Sequence, residues 1–205
     1  MFYLYKSVLL FGAPGVGKGT QGKTLGNIGG FYHCASGDIF RSVDPESDLG
    51  KIFFDYSSRG ELVPDDVTVK MWQDAISTRI KTNDYLPTTD LLVLDGIPRT
   101  IEQARIMDDL IDVLSIAHLV CQDREAMVGR LRRRALKQNR HDDADEAVIR
   151  NRWDVYERES APVLEHYPKH LIVEVDAVGT PAQVLRHLLE VVEPIQSNYF
   201  AAFEG

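Results

Sequence analysis

Ser7-Val8-Leu9-Leu10-Phe11-Gly12-Ala13-Pro14-Gly15-Val16-Gly17-Lys18-Gly19-Thr20 is the stretch from which the rest of the chain is read. Its first five residues form an almost unbroken apolar run, the pattern of a strand buried on both faces. A glycine-rich turn follows directly, and the residues after Lys18 suit a helix. Strand, glycine loop and helix, with Gly12 and Gly17-Lys18 at Walker A spacing, together make a phosphate-binding loop. Backbone N–H groups turn inward around phosphate oxygens, the helix N-terminus adds a favourable dipole, and Lys18 supplies a point charge. Gly15, Val16, Gly17, Lys18, Gly19 and Thr20 are the candidate phosphate contacts. The position after the lysine, usually a hydroxyl that ligates the metal, is Gly19; the hydroxyl falls on Thr20, so a metal would be held less directly.

Working outward, four more apolar runs read as strands: Phe31 to Ala35, Leu91 to Asp95, Ile116 to Cys121 and Leu171 to Val175. Helical spacing fills the intervals. Thr100 with Gln103, Asp143 with Glu146 and Thr180 with Gln183 have capping-box spacing, and Pro181 suits a first helical position. The expected fold is α/β, a three-layer doubly wound sheet of five parallel strands. Two segments exceed simple connections: 36–90, with two helical stretches around Arg59-Gly60, and a basic loop at 134–143 between two helices. Long insertions at one edge of such a sheet serve as lids or substrate lobes. The tail from Glu193 shows no strong periodicity.

The 205 residues suit one domain, 1–205, and 44% hydrophobic with 26% charged residues excludes disordered and fibrous classes. No apolar run approaches the roughly 20 residues of a membrane span, and no signal peptide is read at the N-terminus. The net charge of −8 disfavours nucleic-acid binding, yet Arg130 to Arg152 holds eight basic residues against four acids. A cationic cluster on an acidic body suits a small polyanion. Cys34 and Cys121 lack CxxC spacing, so neither a structural zinc site nor a disulfide is expected, and the cytoplasm is the expected compartment. His166 and His170 straddle Pro168 and read as surface residues. Asp95, ending a buried strand, stands where a Walker B carboxylate would orient Mg²⁺ or its waters; it would equally suit a turn with Gly96.

Asp95-Gly96-Ile97-Pro98-Arg99-Thr100-Ile101-Glu102-Gln103-Ala104 resembles the Asp-Gly-Phe-Pro-Arg-Thr-x-x-Gln-Ala signature of adenylate kinases, with Ile97 in place of Phe. Matching segments lie in order along the chain: the Gly12 to Thr20 loop, Ser36-Gly37-Asp38 with Arg41, Gly60 to Asp65, Arg130 with Arg134, Arg140 with Asp142-Asp143, Arg152 with Tyr156, and Ala161-Pro162. The resemblance implies a P-loop nucleoside monophosphate kinase fold of the short-lid type. It implies an inserted AMP-binding lobe at about 36–65 and a lid at about 134–143. The implied reaction is ATP plus AMP giving two ADP, with Mg²⁺ accompanying ATP. ATP, AMP and ADP are then the partners, and a monomer is expected.

Carried over residue by residue, the resemblance implies that Ser36 and Arg41 contact AMP, Arg41 at its phosphate. Ser36 stands where these enzymes usually have Thr. Glu61, Leu62 and Val63 approach the adenine through their backbone, and Gly96, Ile97 and Pro98 complete the acceptor site. Arg99 clamps the acceptor phosphate and Gln103 reads the adenine edge, a use that competes with its capping role. Arg130 and Arg134, four apart on one helix face, contact ATP; Arg132 and Arg133 are expected in solvent. Arg140 and Arg152 close over the reacting phosphates, although they are 12 residues apart here against the usual 11. Lys18, Arg99, Arg134, Arg140 and Arg152 are thus the catalytic set. A kinase for UMP, CMP or another nucleoside monophosphate is the alternative within the class, and a non-catalytic nucleotide-binding regulator the alternative outside it.

Overall fold

In a computed structural model of the chain, residues 4–138 and 145–200 are described, without the side chains of residues 137 and 138. The elements run β1 (Tyr5–Phe11), α1 (Lys18–Leu25), β2 (Phe31–Ala35), α2 (Ser36–Arg41), α3 (Asp48–Ser58), α4 (Asp65–Lys81), β3 (Leu91–Asp95), α5 (Ile101–Met107), β4 (Ile111–Val120), α6 (Arg124–Gln138), α7 (Glu146–Val155), β5 (Ile172–Asp176) and α8 (Pro181–Tyr199). A wider π-type turn at Tyr156–Ser160 and a 3₁₀ turn at Ala161–His166 continue from α7. Among the described residues the strands form one parallel sheet in the order β2-β3-β1-β4-β5.

Alternating side chains explain why both faces must be covered. Val8 and Leu10 of β1, Leu91 and Val93 of β3 and Ala117 and Leu119 of β4 pack on the face covered by α1, α6 and α8. Leu9, Phe11, Leu92, Leu94, Ile111 and Ile116 pack on the other, under α4, α5 and Val163. β1 and β3 are neighbours whose carboxyl ends lead away in opposite directions, β1 toward β2 and β3 toward β4. Such a switch point leaves a crevice at the strand ends. The phosphate loop and Asp95-Gly96 both open into it.

Several boundaries differ from the reading of the sequence. β4 begins at Ile111 rather than Ile116, because a register break opposite Ser7 and Val8 lets a partly polar stretch pair, and Lys6 reaches Asp112 at 2.6 Å. Segment 36–90 holds α2 as well as the two helices that flank Arg59-Gly60. α6 continues to Gln138, so Arg134 is helical and not in a loop. α7 starts at Glu146 with Asp145 as its cap, which accepts from Ala147 N, so Glu146 is the first helical residue and not the third; Asp143 lies outside the described residues. α8 runs through Pro194 to Tyr199 despite the missing donor there, since Val184, Leu188 and Val192 bury one face and Gln196 Nε2 donates to Gly29 O. His166 is not a bare surface residue: its Nε2 stands 3.0 Å from Asp108 Oδ2.

The full capping box forms at Thr180, whose hydroxyl accepts from Gln183 N while Gln183 Oε1 accepts from Thr180 N at 2.8 Å. Thr180→Ala should therefore lower stability by about 1 kcal/mol, read as a fall in the urea midpoint with an unchanged slope.

Candidate active site

Gly17 caps α1 without a side chain, so Lys18 N and Gly19 N have no side-chain cap, while Thr20 N and Gln21 N donate to Gly17 O at 3.0 and 3.1 Å. Lys18 turns back over the loop, donating to Gly12 O at 2.5 Å and Ala13 O at 3.2 Å. Burial pulls its ammonium down from 10.5 to about 8; Asp95 opposes that pull, and Arg99, Arg152 and Arg134 reinforce it. Four cations from α1, the β3 loop, α6 and α7 thus sense one another in a single place.

Asp95 closes β3 beside them. Burial pushes its carboxyl upward, but the His33 imidazole, Lys18 and Arg99 together hold it below the ordinary carboxylate value. His33 Nε2 lies 3.7 Å from Asp95 Oδ2, and both side chains are largely buried. A Cβ added at Gly19 would come 3.3 Å from the same carboxylate oxygen, so the residue after Lys18 leaves space in front of Asp95.

Gly96 organises the next group. Its carbonyl accepts from Ser36 Oγ and from Arg99 Nε, each at 2.7 Å. The backbone there has φ +76, which favours glycine, and a Cβ would come 2.7 Å from Arg99 Nη2 and 3.0 Å from Ser36 Oγ, displacing the side chains the carbonyl holds. Gln103 is buried and engaged at both ends of its amide: Oε1 accepts from Arg99 N at 2.7 Å, while Nε2 donates to Asp65 Oδ1 at 2.9 Å. The capping box read at Thr100 forms only in half, through Thr100 Oγ1 and Gln103 N, because the glutamine side chain reaches one residue further back. Arg41 donates to Gly37 O at 2.8 Å.

Two cavities share this floor. Ser36, Phe40, Phe53, Glu61, Leu62, Val63, Pro98 and Gln103 line one, together with Tyr156 and Ser160 of the π-type turn. Gly15, Gly17, Gly19, Thr20, Asp95, Arg130 and Arg134 line the other. Lys18, Arg41, Arg99 and Arg152 line both.

Most of the residues singled out in the sequence therefore meet. Val16 and Ile97 do not bring their side chains: each is 2% exposed and packs in the core, which leaves them only their backbone. Arg140 lies outside the described residues, as do residues 139–143 of the 134–143 segment. Arg132 and Arg133 are both exposed, as expected; Arg133 also lines the second cavity, and Arg132 pairs with Glu146. His33, Phe53 and Ser160 were not singled out; an isolated histidine in an apolar strand and a phenylalanine in an amphipathic helix carry no signal of their own. Among the described residues no three His, Cys, Asp or Glu side chains gather as a metal cluster, and no helix is long and apolar enough to cross a membrane.

Comparison with known proteins agrees with this geometry. The family model for adenylate kinase matches residues 10–172. A Flavobacterium psychrophilum protein named adenylate kinase is 34% identical over 193 residues, covering 91% of this chain and 97% of its own. A Kocuria rhizophila adenylate kinase is 34% identical over 192 residues, covering 91% and 98%. One from Leifsonia xyli is 36% identical over 183 residues, covering 86% and 88%. With the phosphate loop, the Asp95 to Ala104 segment and both cavities falling within the matched span, the chain belongs to the adenylate kinase family.

Proposed function

We propose how this chain divides the work of the adenylate kinase reaction, ATP + AMP = 2 ADP, between its two cavities. The cavity under the phosphate loop takes ATP, with the amides of Gly15 to Thr20 and the side chains of Lys18, Arg130 and Arg134 against its phosphates. The cavity between Ser36 and Gln103 takes AMP, so 36–65 acts as the acceptor lobe and 134–143 as the lid. One observation carries the assignment: Lys18, Arg41, Arg99 and Arg152 line both cavities, which brings two polyanions end to end.

An AMP phosphate oxygen attacks the γ-phosphorus of ATP, the bond from that phosphorus to the β,γ-bridging oxygen breaks, and ADP leaves. The attacking oxygen is already anionic, so no side chain need remove a proton. Charge spreads over the equatorial oxygens in transit, and positioned cations stabilise it. Arginine suits this because its planar fork meets two oxygens and stays charged. Arg99 and Arg41 would hold the acceptor phosphate and Arg152 the group in flight, with Arg140 joining from the lid. The uncommitted second N–H of Gln103 would read the adenine edge. Backbone at Glu61, Leu62 and Val63, with Gly96, Ile97 and Pro98, would shape the rest of the acceptor site.

Asp95 fits a magnesium ion accompanying ATP: its carboxylate is kept ionised, the space before Gly19 is open, and a lone carboxylate suits an ion that keeps waters and substrate oxygens as its other ligands. When bound, Mg²⁺ would neutralise phosphate charge, with Asp95 holding it through water. Both cavities are built by one chain, which supports a monomer as the catalytic unit.

Arg99→Ala and Arg152→Ala should each lower kcat by about 10² or more with the fold retained, measured by coupled assay; a loss under about threefold would remove either from the clamp. AMP should outperform GMP, CMP and UMP as acceptor, and a ligand joining two adenosines through phosphates should bind far more tightly than AMP. Lys18→Met should abolish turnover while leaving thermal stability unchanged or higher. The folded ammonium titrates below its unfolded value, so the unfolded state holds the extra proton between about 8 and 10.5 and this group's contribution to stability rises with pH across that window. For the same reason kcat/KM for ATP should decline above about pH 8.

A further inference from the structure

Arg152 sits on α7, and α7 is tied to the acceptor side of the molecule at one point. Asn151 Nδ2 donates to Arg59 O at 2.6 Å, across 92 residues of sequence. Arg59 is the C-cap of α3, where the last carbonyls lack an intrahelical donor, so the bond satisfies an acceptor the helix leaves over. The Arg59 side chain takes no part in this. It turns to Asp55 at 2.5 Å and Glu61 at 3.0 Å and lies over the Tyr56 ring at 5.3 Å. Next comes Gly60, with φ +72, where a Cβ would come 2.8 Å from Val148 O and 2.9 Å from Arg152 Cγ. The α3–α4 turn therefore lies with its main chain flat against two turns of α7, and only glycine permits that approach. The same turn continues into Glu61, Leu62 and Val63, the wall of the acceptor cavity.

We propose that Asn151 is a positioning residue for the acceptor nucleotide. Its amide docks the turn that walls the acceptor cavity onto the helix that carries Arg152, so the nucleotide and the guanidinium that meets the phosphoryl group it receives are placed by one contact. The proposal rests on Arg152 acting as a phosphate clamp. Its effect falls on one substrate, because the donor cavity draws its other walls from the phosphate loop, α2, β3 and α6, none of which contains this turn.

The test is steady-state kinetics on the full chain, varying each nucleotide against saturating partner, with thermal midpoints measured alongside. Asn151→Ala removes one hydrogen bond and should raise KM for AMP about threefold to tenfold, with KM for ATP within about twofold and the midpoint unchanged. Asn151→Asp keeps the size, loses the donor and sets a carboxylate against a carbonyl, so it should raise KM for AMP further. Gly60→Ala should produce the same selective defect by pushing the turn off α7. Combined with Asn151→Ala it should be no worse than the worse single variant, since both open one contact. An unchanged KM for AMP in both Asn151 variants, or KM values for AMP and ATP rising together, would overturn the proposal. Intact turnover in Arg152→Ala would instead remove the clamp on which it rests and overturn it by that route.

Discussion

Like charges brought together without a ligand repel, and the structure depends on how that repulsion is borne. Lys18, Arg41, Arg99 and Arg152 line the same two cavities, and the drop of Lys18 to about 8 registers the cost: burial first, then the neighbouring guanidiniums. Part of the restraint comes from main-chain carbonyls: Gly12 and Ala13 for Lys18, Gly96 for Arg99, Gly37 for Arg41. A carbonyl fixes direction without cancelling charge; carboxylates offset part of it, since Asp38 lies 3.7 Å from Arg41 and Asp95 faces Lys18. Surface arginines such as Arg79 and Arg150 are held by carboxylates of Asp84 and Glu146, which spend that charge locally.

Backbone oxygens can hold these cations only because the sheet ends where it does. β1 and β3 pair in register from Ser7 with Leu92 to Leu10 with Asp95, so the loops after them leave the sheet side by side. Slipping β3 by one residue would exchange Leu92 and Leu94 with Leu91 and Val93 between the two cores, and both faces are packed. The core thus fixes the height of Asp95 and Gly96 relative to Lys18.

Much of this was legible in the sequence where a signal is local. Four of the five strands are found to within two residues, and the glycine loop announces its own surroundings. What stayed hidden depends on contacts between distant segments. The start of β4 is broken by Asp112 and Ser115 and by a register shift, and it is a strand because Tyr5, Lys6 and Ser7 pair with it. α8 continues past Pro194 because tertiary burial outweighs one lost hydrogen bond. Arg133 and Arg132 look alike in the sequence; Glu146, on another helix, accounts for the turn of Arg132. Neither the link from His33 to Asp95 nor that from Asn151 to Arg59 has a local pattern.

Gln103 shows why a structural and a functional use of one side chain need not exclude each other. Read from spacing alone, capping and base recognition compete for a single amide. In the fold the carbonyl goes to Arg99 N and one N–H to Asp65, which also accepts from Thr100 Oγ1. The amide is thereby oriented from both ends, and Gln103 lines the cavity proposed for the acceptor with little rotamer freedom left to lose. A freely rotating glutamine would sacrifice that entropy on binding. The internal bonds that make Gln103 look structural are therefore what would make it selective, and the same bond that orients it also anchors the backbone of Arg99.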